Sequence, residues 1–463
     1  MLIERIYDDD LAQASYVIGC ERTKDAIVVD PRRDIAVYQS MASAHGMKIV
    51  AVTETHIHAD FLSGTRELAA ATGATVYLSG EGGPDWQYGF DGERLSDGDK
   101  VTVGSITLQA LHTPGHTPEH LCFLVTDGAF SDQPGYLLSG DFVFSGDIGR
   151  PDLLDEVGQS TGTQSTAARQ MFASLRDKFL TLPDYIQVHP GHGAGSACGK
   201  AIGSIPSSTV GYERLYAWWG RYLASSDEEG FVKELLEGQP DAPSYFGRMK
   251  QQNRRGPAIL GVRTPLEELD PETVAKHLAA DAVTFVDTRH NAKVHRGTVA
   301  NSLNIPAGKN LATYAAWAID PERDPRPLVL LAGGQEQACK MWDHLVRVGI
   351  DNVAGYVTSL DGLPASTPRL IRPEDLSGLH PAPLLDVRTK SEHEDGHIPG
   401  SLQLHGGRLL WNLDQVPRQG TVVAYCRSGA RSSVAASILR REGYDVVELE
   451  GSYQGWAERH RKA

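Results

Sequence analysis

Two constellations in this sequence have residue types and spacings that can do chemistry. The first is spread over four short turns: Thr55-His56-Ile57-His58-Ala59-Asp60-Phe61, Thr113-Pro114-Gly115-His116-Thr117-Pro118, Ser139-Gly140-Asp141 and His189-Pro190-Gly191-His192. Imidazoles and carboxylates on separate glycine-flanked turns can converge on one cation, because glycine lets the backbone bend tightly beside each ligand. The second is the run Cys426-Arg427-Ser428-Gly429-Ala430-Arg431, set between the apolar stretch TVVAY and the helical stretch SSVAASILRREG. A loop curled onto a helix N-terminus aims several N–H groups at one point, where the helix dipole is positive. A cysteine at the entrance of such a loop is held as thiolate, the form that attacks sulfur. Arg431 adds a positive charge and Gly429 permits the tight curl.

The C-terminal segment resembles the rhodanese family of sulfurtransferases. The matching features are Asp386-Val387-Arg388, the GHIPGS run from Gly396 to Ser401, the CRSGAR loop and the turn from Gly451 to Trp456. The resemblance implies that Cys426 takes up a sulfane sulfur as a persulfide and passes it to a nucleophile, with Arg427, Ser428, Gly429 and Ala430 framing the substrate and Arg431 assisting. Related phosphatase loops place five residues between Cys and Arg. The loop here holds four, which favours sulfur over phosphate.

The order of the four N-terminal turns resembles the metallo-β-lactamase superfamily, whose signature is HxHxDH, then a His in a Gly-His turn, a bridging Asp and a final His. The resemblance implies an αββα sandwich with metal at the strand ends. Phe61 stands where the signature has its last His, and Phe cannot bind a metal. The usual second zinc site therefore lacks a ligand. His56, His116 and Asp141 remain for a single ion, and two histidines with one carboxylate suit non-haem Fe(II). The chain also resembles the persulfide dioxygenase branch in ETHIHADFLSG, HTPGHTPEH and the SGD-then-GRPD run. That likeness implies one Fe(II) on those three residues, with His58, Asp60 and His192 orienting the ligands by hydrogen bonds. It also implies Arg150 at the substrate, with Tyr212 and Arg214 lining a thiol-carrier cleft. His112, His120 and His189 are read as structural, and the Trp218–Trp219 pair as helix packing.

The elements that must hold these residues are legible in outline. SYVIGC and AIVVDP are apolar runs split by the polar turn ERTKD, as in paired strands, and MKIVAVTETH and PGYLLSGD are buried strands that end in the candidate ligands. TRELAAATG (65–73) reads as a helix closed by Gly73. The segment from Tyr212 to Leu236 is helix-rich, and QPDAPSYFGRMKQQNRRGPA after it reads as a linker. Beyond it lies a repeat at a constant offset of 99 residues, which sets Asp287 against Asp386, Arg289 against Arg388, Gly297 against Gly396 and Ser302 against Ser401. PLVLLAGGQEQA mirrors TVVAYCRSGARS, so the first copy has Ala332 where the cysteine should be and no arginine at the loop's end. Cys339 falls in the following helix. This copy resembles a pseudo-rhodanese. The expected architecture is α/β: an αββα sandwich over 1–245, an inactive rhodanese-like domain over 260–362 and a catalytic one over 367–463.

Length and composition fit this division. The 463 residues carry a net charge of −15 with 41% hydrophobic residues, as in a folded multidomain protein. The acidic balance argues against nucleic-acid binding, and no apolar run is long enough for a membrane helix. The start MLIERIYDDD is acidic where a signal peptide is basic then apolar, and five scattered cysteines form no CxxC pair. Both point to the reducing cytoplasm. The expected activity is oxidation of a low-molecular-weight persulfide (of glutathione, coenzyme A or another thiol) by O2 to sulfite, coupled to sulfur transfer between thiosulfate and a thiol, with a role in sulfide detoxification. The alternatives are a binuclear zinc thioester hydrolase of the glyoxalase II kind and a non-catalytic sulfane-sulfur sensor. The pseudo-copy is a candidate surface for a homo-oligomer.

Overall fold

In the computed structural model, which describes residues 1–153, 162–379 and 382–460, the chain divides into two compact units. Residues 1–242 and 246–262 form the first, and residues 243–245 and 263–463 the second. Among the described residues no helix is long and apolar enough to cross a membrane.

The first unit contains two six-stranded sheets. One runs in sequence order through β1 (Leu2–Asp8), β2 (Gln13–Gly19), β3 (Asp25–Val29), β4 (Lys48–Thr53), β5 (Thr75–Ser79) and β6 (Glu93–Leu95). β2 and β3 are the antiparallel pair expected around ERTKD, and β3 to β6 are parallel. The other sheet has the order β12-β11-β10-β9-β8-β7, from β7 (Lys100–Val103), β8 (Ile106–His112), β9 (Leu121–Asp127), β10 (Tyr136–Gly140), β11 (Gln187–Pro190) and β12 (Ser208–Thr209).

Side-chain alternation builds the layers, since successive strand residues face opposite ways. Ala14, Tyr16 and Ile18 of β2 and Leu121, Phe123 and Val125 of β9 share one core between the sheets. Val17 faces the other way, onto Tyr38 and Ala42 of the helix Ala36–Ala44 and Leu68 of the helix Thr65–Thr72. Cys122 and Leu124 of β9 face outward onto Met171, Phe172 and Leu175 of the helix Gln164–Asp177, with Trp219 and Phe231 beyond. This is an αββα sandwich. The helix Thr65–Thr72 ends as the sequence requires, on a left-handed Gly73.

The linker reading of residues 239–258 does not hold throughout. Phe246–Arg255 is a helix of the first unit, with Phe246, Met249, Lys250 and Asn253 buried along one side. Asn253 is held there by polar rather than apolar contacts: its Nδ2 donates to the His58 and Phe61 carbonyls (2.8 and 2.7 Å) and its Oδ1 accepts from Ser63 N–H (2.9 Å).

In the second unit the repeat becomes two parallel sheets. The first copy has the order β15-β13-β16-β17, from β13 (Thr284–Asp287), β15 (Leu303–Asn304), β16 (Leu328–Leu331) and β17 (Val353–Val357). Beside it β14 (Thr298–Val299) pairs with β18 (Ala365–Ser366). The second copy has the order β19-β23-β22-β20-β21, from β19 (Leu370–Ile371), β20 (Leu384–Asp386), β21 (Leu402–Gln403), β22 (Val422–Tyr425) and β23 (Val446–Leu449). Both copies fall in one compact unit.

Candidate metal centre and cysteine loop

The four metal-type turns leave the ends of β4, β8, β10 and β11. They bring His56, His116 and Asp141 together, with one ligand atom of each within 4.8 Å of the others, all buried. His116 Nε2 lies 3.5 Å and His56 Nε2 4.0 Å from Asp141 Oδ2. His192 Nε2 lies 3.4 Å from the same oxygen and 3.5 Å from Asp60 Oδ2. His192, expected to stand behind the ligands, therefore faces the same carboxylate as directly as His116.

The far nitrogen of each ring is tied down. His116 Nδ1 donates to the Arg150 carbonyl (2.9 Å) and His192 Nδ1 to the Ala12 carbonyl (3.0 Å). His56 Nδ1 meets Thr55 Oγ1 (2.9 Å), whose hydroxyl donates to Asp30 (2.9 Å). These bonds assign the proton to Nδ1 and leave the Nε2 lone pairs facing Asp141. Burial pushes the pKa of His56 and His116 down and keeps them neutral. Both Asp141 oxygens are buried with no hydrogen-bond partner among the described residues. A bare buried carboxylate is costly. Three lone pairs converging on it make a cation the fitting neutraliser.

His58 points elsewhere. Burial opposes its charge, but Asp30 outweighs burial, with Asp30 Oδ1 3.2 Å from His58 Nε2, and holds the pKa at about 9. With its Nε2 taken up by Asp30, His58 stands behind the cluster rather than among its ligands. Phe61 is fully buried against the His58 ring.

Other supports were not legible from residue type. His120, read as structural, accepts from Asp141 N–H through Nε2 (3.1 Å) and stacks on His56. Gly140 precedes Asp141 at φ +50°, and a Cβ there would lie 2.6 Å from Thr55 Oγ1 and 2.7 Å from His120 Nε2. Ala12 and Asp30 hold left-handed backbone (φ +51° and +53°) although neither is glycine, strain of the sort that collects at functional sites. Cys198 was also missed. With Asp60 and His192 it forms a second buried cluster of ligand atoms within 4.8 Å. Burial, with Asp141 and Asp60 nearby, pushes its thiol pKa well up. Asp60 Oδ2 has no hydrogen-bond partner among the described residues.

A cavity of about 580 Å³ opens beside His116, lined by Trp86, Pro118, Gln170, Lys250 and Arg254 among others. Lys250 Nζ sits 3.8 Å from the centre of the Trp86 ring. Lys250 and Arg254 come from the helix that the sequence reading took for linker.

Three expected substrate residues stand elsewhere. Arg150 is buried rather than open to a substrate: its guanidinium clamps Asp152 (2.9 and 2.7 Å) and donates to the Ala197 and Pro240 carbonyls. Its role at the cluster runs through its carbonyl, which holds His116. Tyr212 is exposed and lies against the Tyr216 ring at a tilt of 32°. Arg214 is taken up by Asp184 and the Leu180 and Leu182 carbonyls. Neither lines the cavity beside His116.

In the second unit Cys426 follows β22, and the helix Ala430–Arg441 begins at the loop's end. Gly429, at φ +111°, donates its N–H to Cys426 Sγ (3.1 Å). Ser452, itself left-handed, accepts from Cys426 N–H (3.1 Å). Burial opposes ionisation of the thiol, but Ser432, Arg431 and the Gly429 N–H together hold its pKa below the usual value. Arg427 and Ser428 are exposed at the rim, with Ala430 partly so. Arg431 is not a free charge: Glu392 grips it through both oxygens (2.6 and 2.8 Å).

Two family models match: the metallo-beta-lactamase superfamily over residues 8–192 and a rhodanese-like domain over residues 373–459. Among solved structures, a metallo-beta-lactamase from Staphylococcus aureus subsp. aureus COL is 37% identical with a TM-score of 0.66, and the match covers 77% of this chain and 98% of that one. A hydroxyacylglutathione hydrolase of Polaromonas sp. is 30% identical over 42% of this chain and 66% of its own length. The mitochondrial persulfide dioxygenase ETHE1 of Bos taurus is 22% identical over 42% of this chain and 68% of its own.

Proposed function

The chain belongs to the metallo-β-lactamase superfamily and carries a C-terminal rhodanese-like domain, and from that premise we propose that it is a bifunctional sulfur enzyme, a mononuclear Fe(II) persulfide dioxygenase joined to a thiosulfate sulfurtransferase. The observation that carries the first half is the Asp141 carboxylate, buried without a hydrogen bond among the described residues and faced by the Nε2 atoms of His56, His116 and His192. The persulfide dioxygenase among the relatives supports the choice of chemistry.

Fe(II) on His56, His116 and Asp141, one ion per chain, would supply activation of O2 beside a bound sulfur. The chain's own residues do the rest. Thr55 with Asp30, the Arg150 carbonyl and the Ala12 carbonyl fix the three imidazoles. Phe61, packed against His58, and the surrounding core keep the ligand side chains out of bulk water. Lys250 and Arg254, in the cavity beside His116, offer cations to the carboxylates of a thiol carrier such as glutathione or to the phosphates of coenzyme A. In net terms RSSH, O2 and water become RSH, sulfite and two protons, the outer sulfur losing four electrons to O2. At the second site the Cys426 thiolate attacks the outer sulfur of thiosulfate. A Cys426–sulfur bond forms, the S–S bond of thiosulfate breaks, and sulfite leaves with the electron pair. The persulfide then passes its sulfur to a thiol, and the reverse direction makes thiosulfate from sulfite.

The test is anaerobic loading with Fe(II), then oxygen uptake and sulfite release with a panel of low-molecular-weight persulfides. Stoichiometric uptake that Asp141→Ala abolishes while thiosulfate sulfur transfer persists supports the reading, and the fastest persulfide identifies the carrier. No uptake with any persulfide overturns it. The buried Asp60–His192–Cys198 cluster favours a second reading, a binuclear zinc thioester hydrolase. Two zinc ions per chain with turnover of a glutathione thioester would establish that reading, whereas one iron would exclude it.

A further inference from the structure

The copy without a nucleophile lends a side chain to the copy that has one. Asn291 opens the short helix Asn291–Val294 of the first copy and is 9% exposed. Its Oδ1 is buried without a hydrogen-bond partner among the described residues. A Cβ built on Gly429 would lie 2.8 Å from Asn291 Nδ2, so the carboxamide rests against the loop whose Gly429 N–H bonds Cys426 Sγ. Buried amides are ordinarily satisfied by the protein, as Asn253 and Asn304 are here. The Asn291 Oδ1 is left unsatisfied among the described residues, and the Nδ2 beside it rests against the loop that holds Cys426.

Its placement is fixed by the packing of the two copies. Ser433 Oγ donates to Asn304 Oδ1 (2.8 Å), Asn304 N–H donates to Ser437 Oγ (3.0 Å), and Arg441 reaches Thr284 and Asp324. His295 Nε2 meets Glu448 at 2.9 Å. The repeat itself does not require the amide, because the position offset by 99 residues is Lys390.

The Cys426 site has need of a neutral donor. Thiosulfate arrives as a dianion; of the loop's two arginines, Arg431 is already paired with Glu392 and Arg427 lies exposed at the rim. A sulfonate seated against Cys426, inside that rim, is met by dipoles, namely the loop N–H groups and any side-chain amide within reach.

Resting on the sulfurtransferase reading of Cys426, we propose that Asn291 is a specificity-determining residue of that site, its Nδ2 donating to a sulfonate oxygen of thiosulfate docked on Cys426. Steady-state sulfur transfer to cyanide, compared for thiosulfate and for a low-molecular-weight persulfide as donors, tests this. In Asn291→Ala the KM for thiosulfate rises about tenfold with little change in kcat, the loss of one hydrogen bond to a charged group. The ratio of kcat/KM for thiosulfate over persulfide falls by about the same factor, and Asn291→Asp lowers it further by charge repulsion. Calorimetric titration of thiosulfate into Cys426→Ser and into Cys426→Ser/Asn291→Ala gives a second readout, with weaker binding in the double variant. Equal losses for both donors, or unchanged thiosulfate affinity in the double variant, overturn the assignment and leave Asn291 a packing residue. A wild-type protein that takes no sulfur from thiosulfate fails earlier, at the sulfurtransferase reading, and the assignment falls with it.

Discussion

In the first copy of the repeat, Arg289 clamps Asp287 through Nε and Nη2 (2.9 and 2.6 Å) and reaches the Gly297 carbonyl at 2.7 Å. In the second, Arg388 makes the same three contacts to Asp386 and the Gly396 carbonyl, at 2.9, 2.6 and 2.8 Å. The mount at the end of the central strand is thus preserved to a tenth of an ångström. The loops it supports are not alike. After β16 the first copy places Ala332, Gly333 and Gly334, and Gln337 Oε1 takes the Gly333 N–H (2.6 Å). After β22 the second places Cys426, and the Gly429 N–H faces its sulfur. Where the second copy pairs Arg431 with Glu392, the first has Gln337 and Lys293. A cavity of about 580 Å³ still opens over Ala332. The repeat's fold depends on strands and an Asp–Arg mount, whereas its chemistry depends on six loop residues, so one can be lost without the other.

The largest test of that separation is Cys426→Ser, which should lower sulfur transfer by about a thousandfold or more, because it removes the nucleophile that the loop holds as thiolate. Oxygen uptake at the first unit should persist. The converse experiment puts a thiol into the silent copy. Ala332→Cys in the Cys426→Ser background is expected to recover less than about 1% of wild-type transfer, since Gln337 already occupies a loop N–H and no arginine lowers the thiol pKa. Adding Gln337→Arg and Lys293→Glu rebuilds the missing ion pair and should raise that residue of activity about tenfold. Full recovery from Ala332→Cys alone would break the comparison, because it would make the cysteine the only difference that matters.

Much of the first site was legible because ligand chemistry restricts residue type. His56, His116 and Asp141 stand on strand ends where apolar runs give way to glycine turns, and a cation site can use few other side chains. The supports were hidden because hydrogen bonding is less selective. Asn253 sits on the buried side of a helix whose sequence, FGRMKQQNRR, is too polar for apolar periodicity to reveal, since it is held by backbone groups rather than by hydrophobic contact. Arg150 was assigned a ligand from its place beside the Asp141 turn, yet the neighbouring Asp152 captures its guanidinium. Cys198 and His192 are brought beside Asp60 by tertiary packing that no spacing encodes. In the second unit the CRSGAR loop was plain, but the partner of Arg431, and with it the loop's net charge, came only from the fold.

That partner gives the smallest of the expected differences between the copies, and one that pH can resolve. Burial disfavours the Glu392 carboxylate, but Arg431 and the Thr389 cap outweigh burial and hold its pKa at about 2, below the ordinary 4.5. A carboxylate depressed in the folded state stabilises the fold above its unfolded pKa, and that contribution is lost as pH falls from about 4.5 toward 2. Near neutral pH, Glu392→Gln leaves Arg431 largely buried and unpaired. Because both side chains keep 20–27% exposure, the cost is about 1 to 2 kcal/mol rather than that of a fully buried pair. Thermal unfolding of wild type and Glu392→Gln, followed from pH 7 down to pH 3.5, should therefore give two curves that converge below about pH 4.5. Lys293→Gln, the matching change in the first copy, removes no such pair and should follow wild type throughout. Parallel curves for Glu392→Gln would mean that Arg431 finds another anion, and that the two loops differ less in charge than in the cysteine.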